Sequence, residues 1–250
     1  IQSGGTAIIP HGKYEQYWKS IRSDIDFFTF GFDEDADFQA KIISQTHQNC
    51  SFEIKDNINQ LQQTLISPLL GTHNVLNVLI AFISSQILGK GHTFFKTELK
   101  KFKNFENRLS PRSWVNKSII INDSYNANPE SFSAGVDSLN LFEGRKIIIL
   151  GDMLELGKDS AQIHLELIPI IQKLNPNLLI TIGDYSKIIH DQLKLTLNCH
   201  SYTEIDQLIK DIRCFIKPNQ IILLKGSNGI GLWKLVPIFK NIIQENANAA

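Results

Sequence analysis

The feature that most constrains the fold is a regular alternation of short apolar runs and helical segments in the second half of the chain. The runs are rich in Ile and Leu and lie at residues 118–121, 146–150, 178–182 and 221–224. Helical patterns follow them near residues 130–142, 160–174, 185–195 and 231–244, and a weaker run at 198–202 precedes a helical pattern near 203–216. Continuous apolar strands that alternate with helices indicate a mostly parallel sheet covered on both faces. The second half therefore predicts a doubly wound α/β domain.

The first half has a mixed pattern. Short strands are predicted at residues 6–9 and 27–30 with an amphipathic helix at 14–21 between them, an antiparallel strand pair at 38–55 and a buried helix at 74–88. The polar segment 104–112 is predicted to connect two domains. We therefore place the domains at residues 1–110 and 111–250.

Composition excludes several classes of protein. The 250 residues carry 25 Lys and Arg against 25 Asp and Glu. Because the charge is balanced and no basic stripe is present, the sequence gives no indication of nucleic-acid binding. Cys50, Cys199 and Cys214 are odd in number and scattered, so they indicate neither a disulfide framework nor a zinc cluster and favour the cytoplasm. The most apolar stretch, residues 75–88, is too short and too polar to span a bilayer.

Three local signals concern helix ends. Asn128-Pro129-Glu130 supplies an N-cap, a first-turn proline and an acidic residue near the positive helix end. Residues 203–206 have the spacing of a capping box. Pro169 is predicted to kink the helix at 160–174.

Polar and glycine-bearing loops follow the strands of the predicted parallel sheet. In such a sheet ligands bind beyond the carboxyl ends of the strands, where residues 122–128, 151–152, 183–184 and 225–229 are expected to converge. They offer carboxylates, amides, one ammonium group and helix N-terminal amides to a polar ligand. For each loop alone, the alternative is a polar turn or cap with no ligand.

Other candidate sites do not match known patterns. Residues 89–93 (Gly-Lys-Gly-His-Thr) resemble a phosphate loop only superficially, because the spacing differs and a helix precedes them. The histidines have no metal-ligand spacing, and His164 is interpreted as a packed or hydrogen-bonded helix residue. Trp18, Trp114 and Trp233 are too dispersed for a stacking platform, so packing is the preferred interpretation.

Two motifs together carry a family resemblance. Residues 123–129 (Asp-Ser-Tyr-Asn-Ala-Asn-Pro), followed by residues 150–157 (Leu-Gly-Asp-Met-Leu-Glu-Leu-Gly), closely resemble the Mur ligases of peptidoglycan synthesis. Residues 225–227 match the family's late Lys-Gly-Ser, and residues 71–74 are similar to its Gly-Arg-His-Asn. The resemblance covers essentially the whole chain and favours the branch that adds D-alanyl-D-alanine.

The resemblance implies an activity and a domain content. It implies ATP-dependent amide ligation with Mg²⁺, in which a UDP-N-acetylmuramoyl-tripeptide is activated as an acyl phosphate and attacked by the amine of D-Ala-D-Ala. Its implied fold is the end of a central ATPase domain followed by a Rossmann-like C-terminal domain. The family's phosphate loop, magnesium-binding carboxylates and modified lysine are expected in segments before Ile1, so we expect no ligation by this chain alone, no catalytic residue assigned within it and no metal site.

Site residues follow from the resemblance position by position. It implies that three residues contact the nucleotide, namely Asn74, Arg108 and Asp123. It implies that six hold the incoming dipeptide, namely Ser124, Tyr125, Asn126, Asn128, Lys225 and Ser227, with Lys225 near its carboxylate. For Asn74 and Asn128 a purely helix-capping role remains the alternative.

The sequence also departs from the family pattern. Thr72 replaces an arginine, Asn107 a glycine and Asn228 a common arginine, and residues 10–13 do not match the family's nucleotide-binding segment. Two alternatives therefore stay open. The chain could be a non-catalytic remnant that binds a nucleotide, a peptide or a protein partner, or part of a related ligase of the folylpolyglutamate type.

Overall fold

The computed structural model describes residues 1–103, 105, 107–113 and 118–248. Its contacts divide the chain into two units, residues 1–103 and 104–250. Strand β6, at Ser110–Ser113, runs across the boundary placed at residue 110 from the sequence, and that placement stays a prediction. Trp114 and part of the predicted connection at 104–112 lie outside the described residues.

The first unit is built on one mixed sheet whose strands follow chain order. Its elements are β1 Thr6–Pro10, α1 Glu15–Ile21, β2 Asp26–Gly31, β3 Phe38–Gln45, β4 Cys50–Asp56, β5 Leu61–Ser67, α2 Thr72–Ile87 and α3 His92–Lys101. β1, β2 and β3 are parallel, whereas β4 is antiparallel to both β3 and β5. Helix α2 packs on this sheet through buried residues that include Val78, Leu79 and Phe82. The strand β5 and the helix α3 were not predicted from the sequence.

The second unit is built on a six-stranded sheet. Its elements are β6 Ser110–Ser113, β7 Ile119–Asp123, α4 Pro129–Leu139, β8 Arg145–Gly151, α5 Ser160–Leu165, α6 Ile168–Leu174, β9 Leu178–Ile182, α7 Asp184–Leu193, β10 Cys199–Tyr202, α8 Ile205–Asp211, β11 Gln220–Lys225 and α9 Leu235–Asn248. The strand order is β10-β9-β8-β11-β7-β6, and all neighbours are parallel except the β6–β7 pair.

Helices cover both faces of this second sheet. On β11, Ile222 and Leu224 join the apolar cluster formed with α8 and α9, whereas Leu223 faces Gly135 of α4. Successive side chains of a strand point to opposite faces, so a strand that is apolar throughout must be covered twice. The predicted doubly wound α/β domain is thereby confirmed.

Two predicted helix features are wrong. Pro169 does not kink one long helix: the segment forms two helices, and Pro169 lies in the first turn of α6, where its missing N–H costs nothing. Thr203 does not cap α8, because the N-cap is Glu204 and no side-chain cap bond is made. The Thr203 hydroxyl and backbone N–H instead donate to Gln207 Oε1.

Candidate functional site

The neighbouring strands β8, β11 and β7 end together at one edge of the second sheet. Lys225, the last residue of β11, lies in register with Asp123 on one side and with Leu150 on the other. β7 and β8 are consecutive in sequence, yet β11 lies between them. The loops that follow these strands therefore meet where ligands of open α/β sheets bind. The predicted convergence of residues 122–128, 151–152 and 225–229 follows from this strand order, and residues 183–184 follow β9, which pairs with β8 on its other side.

Lys225 is the most deeply buried charged group of this edge. Its side chain is 2% exposed, and Nζ lies 2.9 Å from Asp123 Oδ2, 3.4 Å from the Asp123 carbonyl oxygen and 2.5 Å from the Asn126 carbonyl oxygen. Burial lowers the pKa of Lys225, Asp123 opposes that shift, and the nearby Arg108 charge adds to it. An ammonium group has three donors. The three oxygen atoms near Nζ all belong to the 123–126 loop, so Lys225 links the end of β11 to that loop.

Asp123 is held on its other side by the segment before β6. Its Oδ1 accepts from the Leu109 backbone N–H at 3.0 Å. Asn107 adopts a left-handed backbone at φ 64°, which explains how it replaces the family's glycine, because asparagine tolerates this region better than most side chains. From there Asn107 Oδ1 accepts from Asn122 Nδ2 at 2.6 Å.

The 124–128 loop divides into buried and exposed side chains. Ser124 is buried and its hydroxyl donates to Asn122 Oδ1 at 2.7 Å, so it supports the loop from inside. Asn126 is exposed, and its Oδ1 accepts from the Ala127 N–H at 2.8 Å. Asn128 forms a reciprocal capping box with Ser131, which confirms the predicted N-cap of α4.

Arg108 and Tyr125 form an exposed pair beside this loop. The guanidinium carbon of Arg108 lies 4.2 Å from the centre of the Tyr125 ring, a cation–π distance. Tyr125 is half exposed, and its backbone N–H donates to the Asn107 carbonyl oxygen at 3.1 Å. This places a cation and an aromatic face at the solvent side of the site.

Ser227 fixes the neighbouring loop after β8. Its Oγ accepts from the Leu154 N–H at 2.8 Å, and its N–H donates to the Asp152 carbonyl oxygen at 3.1 Å. Ser227 itself is 5% exposed. In this arrangement the hydroxyl aligns the 151–154 segment with the end of β11.

Three further side chains hold the 151–154 segment. Asp152 is buried, and its carboxylate accepts from the Tyr185 N–H and from both the N–H and the hydroxyl of Ser186 at the start of α7. His164 Nε2 accepts from the Met153 N–H at 2.9 Å, so Nδ1 carries the proton that is donated to the Ser160 carbonyl oxygen. His164 is thus a buried, hydrogen-bonded histidine, as predicted.

Sequence reasoning did not assign roles to Asn107, Asn122 or Ser186. Each acts through hydrogen bonds to a residue distant in sequence, and short polar residues at strand and helix ends give no distinctive signal of such a partner. Asn122 was identified only as one of the polar residues after β7.

Asn74 lies in the first unit, in the first turn of α2. Its Nδ2 donates to the Leu70 carbonyl oxygen at 2.6 Å, and its Oδ1 accepts from Asn77 Nδ2 at 3.1 Å. The N-cap position belongs to Gly71, and no side chain caps the helix there. Asn74 therefore links the first turn of the helix to Leu70, the residue before the N-cap, rather than capping the helix.

The described residues contain no group of three or more His, Cys, Asp and Glu side chains arranged to hold a metal ion. Within the same residues no helix is long and apolar enough to cross a bilayer.

Comparison with known families gives two adjoining matches. The Mur ligase middle domain family matches residues 1–85, and the family described as "Mur ligase, glutamate ligase domain" matches residues 107–228. Together the two matches cover most of the chain.

Curated relatives include UDP-N-acetylmuramoyl-tripeptide–D-alanyl-D-alanine ligases from several bacteria. The Haemophilus influenzae relative is 28% identical over 249 residues, which are 98% of this chain and 53% of the relative. The Bacillus subtilis relative is 29% identical over 221 residues, which are 86% of this chain and 47% of the relative. The chain thus spans about half the length of the curated relatives it matches.

Solved structures share the fold. A crystal structure of MurF from Acinetobacter baumannii matches with a TM-score of 0.84 at 23% identity, over 96% of this chain and 53% of that one. MurF from Thermotoga maritima in complex with ADP matches with a TM-score of 0.76 at 20% identity, over 97% of this chain and 55% of that one. With both family matches in adjoining domains, this chain belongs to the Mur ligase family and carries middle-domain and C-terminal-domain sequence.

Proposed function

We propose that this chain is part of an enzyme that adds D-Ala-D-Ala to UDP-N-acetylmuramoyl-tripeptide in an ATP-dependent ligation. The observation that carries the proposal is the 123–128 loop, whose family motif is held at the carboxyl edge of the sheet by the buried Lys225–Asp123 pair. Curated relatives that carry the name of this ligase support the choice of substrates.

Within this proposal the residues have different tasks. Asn126, Asn128 and Tyr125 are exposed and are proposed to contact the dipeptide, together with the edge formed by Ser227. Lys225 and Ser124 are proposed to position the loop, because their polar atoms are already bonded inside it. This replaces direct contact of Lys225 with the dipeptide carboxylate as the preferred role.

For ATP, Arg108 is the residue whose chemistry fits best. Its exposed guanidinium group can pair with phosphate oxygens, and a guanidinium group favours such contacts. Asp123 and Asn74 are proposed to contact ribose and adenine, respectively. ATP would supply the phosphoryl group that activates the acceptor carboxylate, and Mg²⁺ is proposed as its counterion. The cytoplasm is the proposed location, where such nucleotide-linked substrates and ATP are available.

Dipeptide recognition tests the proposal on the chain itself. Amide resonances of Asn126 and Ser227 are followed by NMR during titration with D-Ala-D-Ala, with L-Ala-L-Ala and glutamate as matched ligands. Selective shifts with D-Ala-D-Ala, lost in Asn126→Ala but kept in Asn140→Ala at the far end of α4, are expected. Equal responses to all three ligands would contradict this choice of substrate.

A chimaera tests the ligation directly. The chain replaces the matching region of the Haemophilus influenzae relative, and pentapeptide product is measured with ATP. Product formation that is lost in Asn126→Ala and kept in Asn140→Ala is expected. A folded chimaera that binds D-Ala-D-Ala but forms no product would favour the alternative of a binding remnant.

A further inference from the structure

A basic segment of the first unit lies apart from the loops at the edge of the second sheet. Residues 90–103 carry five lysines against one glutamate, in a chain whose net charge is zero. In the structure this segment forms α3, which packs beside the edge strand β5. A cavity of about 410 Å³ opens between them and is lined by Gln63, His92, Thr93, Lys96, Thr97 and Lys100.

The two lysines of this cavity and His92 lie along one face of the helix. His92, Lys96 and Lys100 are spaced by four residues, so they are stacked one turn apart. At a rise of about 1.5 Å per residue the three span about 12 Å along the axis. One monovalent anion cannot contact all of them, whereas an elongated anion with several charges can.

The two cavity lysines differ from their neighbour Lys101. Lys101 Nζ pairs with Glu98 Oε1 at 2.6 Å and does not line the cavity. Within the part of the chain that the structure describes, Lys96 and Lys100 have no ion-pair partner. None of the six residues that line the cavity is acidic, so the two lysine charges add there.

Gln63 supplies an independent indication of a ligand. It lies on β5, on the opposite wall of the cavity, and its Nε2 is buried without a hydrogen-bond partner among the described residues. A buried amide donor that stays unpaired costs free energy, and an acceptor in the cavity would satisfy it. Lysine and amide donors on facing walls together select a ligand rich in acceptor oxygens.

We propose that this cavity binds a small elongated anion that carries two or more phosphoryl groups. Lys96 and Lys100 neutralise successive phosphoryl groups, and Gln63 Nε2 donates from the opposite wall. Phosphoryl groups fit better than a single carboxylate because each offers several acceptor oxygens, and lysine is a frequent partner of phosphate. The volume suits a small ligand rather than a macromolecule.

Titration with inorganic tripolyphosphate tests the proposal. NMR of the full chain in magnesium-free buffer should show saturable shifts of the amides of His92, Thr93, Lys96 and Thr97. ATP distinguishes a nucleotide-borne triphosphate from a free one, and shifts at these amides with either ligand support the site. Citrate is the polycarboxylate control, and equally tight binding of citrate would overturn the choice of phosphoryl groups.

Matched variants decide whether the cavity itself is responsible. Lys96→Gln combined with Lys100→Gln should weaken tripolyphosphate binding about tenfold, whereas Lys101→Gln should weaken it about twofold or less, because it removes charge without a cavity contact. Gln63→Glu, which keeps the size of the side chain, should also weaken binding. Equal losses in all variants, or no response of the α3 amides, would overturn the proposal. The readout at α3 is separate from the dipeptide readout at Asn126 and Ser227, so each proposal can fail alone.

Discussion

At the scale of single residues, Lys225 shows how a buried charge can organise a loop. Burial lowers the pKa of Lys225 and the Asp123 carboxylate opposes that shift, so the charged form depends on its partner in the loop. The ammonium group nevertheless serves the Asp123 carboxylate and the carbonyl oxygen of Asn126. Removal of the ammonium group would leave these acceptors buried without a partner, which lowers the free energy of unfolding.

Replacement of Lys225 tests this account. We expect Lys225→Met to lower the free energy of unfolding by about 3 kcal/mol, because a carboxylate loses its buried partner. Lys234→Met removes an exposed lysine from the segment after β11 and should cost less than about 0.5 kcal/mol. Urea denaturation followed by circular dichroism gives both values. Equal losses of unfolding free energy in the two variants would show that Lys225 does not stabilise the 123–126 loop.

At the scale of elements, the start of helix α4 carries two interpretations of Asn128. The capping box with Ser131 explains its position without any ligand, while the family motif implies contact with the dipeptide. Both can hold, since the cap uses Oδ1 of this exposed side chain and does not use Nδ2.

Two substitutions separate these interpretations. Asn128→Ala removes the cap and should lower the free energy of unfolding by about 1 kcal/mol, whereas Asn128→Asp keeps an acceptor at the cap and should stay within about 0.5 kcal/mol of the parent. If Nδ2 contacts the dipeptide, the Asp variant nevertheless loses D-Ala-D-Ala binding. Thermal unfolding and the NMR titration supply the two readouts, and an Asp variant that binds normally would leave only the capping role.

The turn between β9 and α7 depends on a glycine for two reasons. Gly183 has φ 109°, and a Cβ atom there would run into the carboxyl group of Asp152, which caps α7. Gly157 has φ 69° and open space around it, so its replacement by alanine would introduce backbone strain without a steric clash.

Comparison of alanine variants at Gly157 and Gly183 measures the cost of placing a Cβ atom against Asp152. Gly157→Ala should cost about 1 kcal/mol of unfolding free energy, the usual strain of a left-handed residue. Gly183→Ala should cost at least about 2 kcal/mol more, because Asp152 must also leave its bonds to α7. Denaturant titrations of both variants provide the comparison, and similar costs would show that Asp152 can move without penalty.

Element prediction from sequence succeeded where one periodic pattern dominates. The apolar strands of the second unit and the Asn128 cap carry local signals, and the structure has them. β5 was missed because Gln62, Gln63 and Thr64 are three consecutive polar residues, which interrupt the alternation of apolar side chains expected for a strand. The capping-box spacing at residues 203–206 gave a wrong prediction. The N–H and the hydroxyl group of Thr203 both donate to Gln207 Oε1, so they take no part in a capping box.

At the scale of the whole molecule, the candidate site depends on strand order rather than on sequence distance. Lys225 meets Asp123 because β11 is inserted beside β7, although the two residues are about a hundred positions apart. Local patterns predicted each loop, and the rule for parallel sheets predicted a common edge. Which loops become neighbours depends on how the strands pair, and no local signal encodes that order.

Each of the two units has its own apolar cluster, which leads to a prediction about folding. The cluster of the second unit joins strands β7, β8, β9 and β11 with α8 and α9 and contains only residues from that unit. A domain of this size buries enough surface to fold alone.

We therefore expect a fragment of residues 104–250 to unfold in one cooperative transition and to keep the amide shifts of Asp123, Asp152 and Lys225 seen in the full chain. A collapsed fragment without these shifts would show that the candidate site needs residues 1–103 for its structure. Preserved shifts would show that the second unit alone holds the Lys225–Asp123 pair in place.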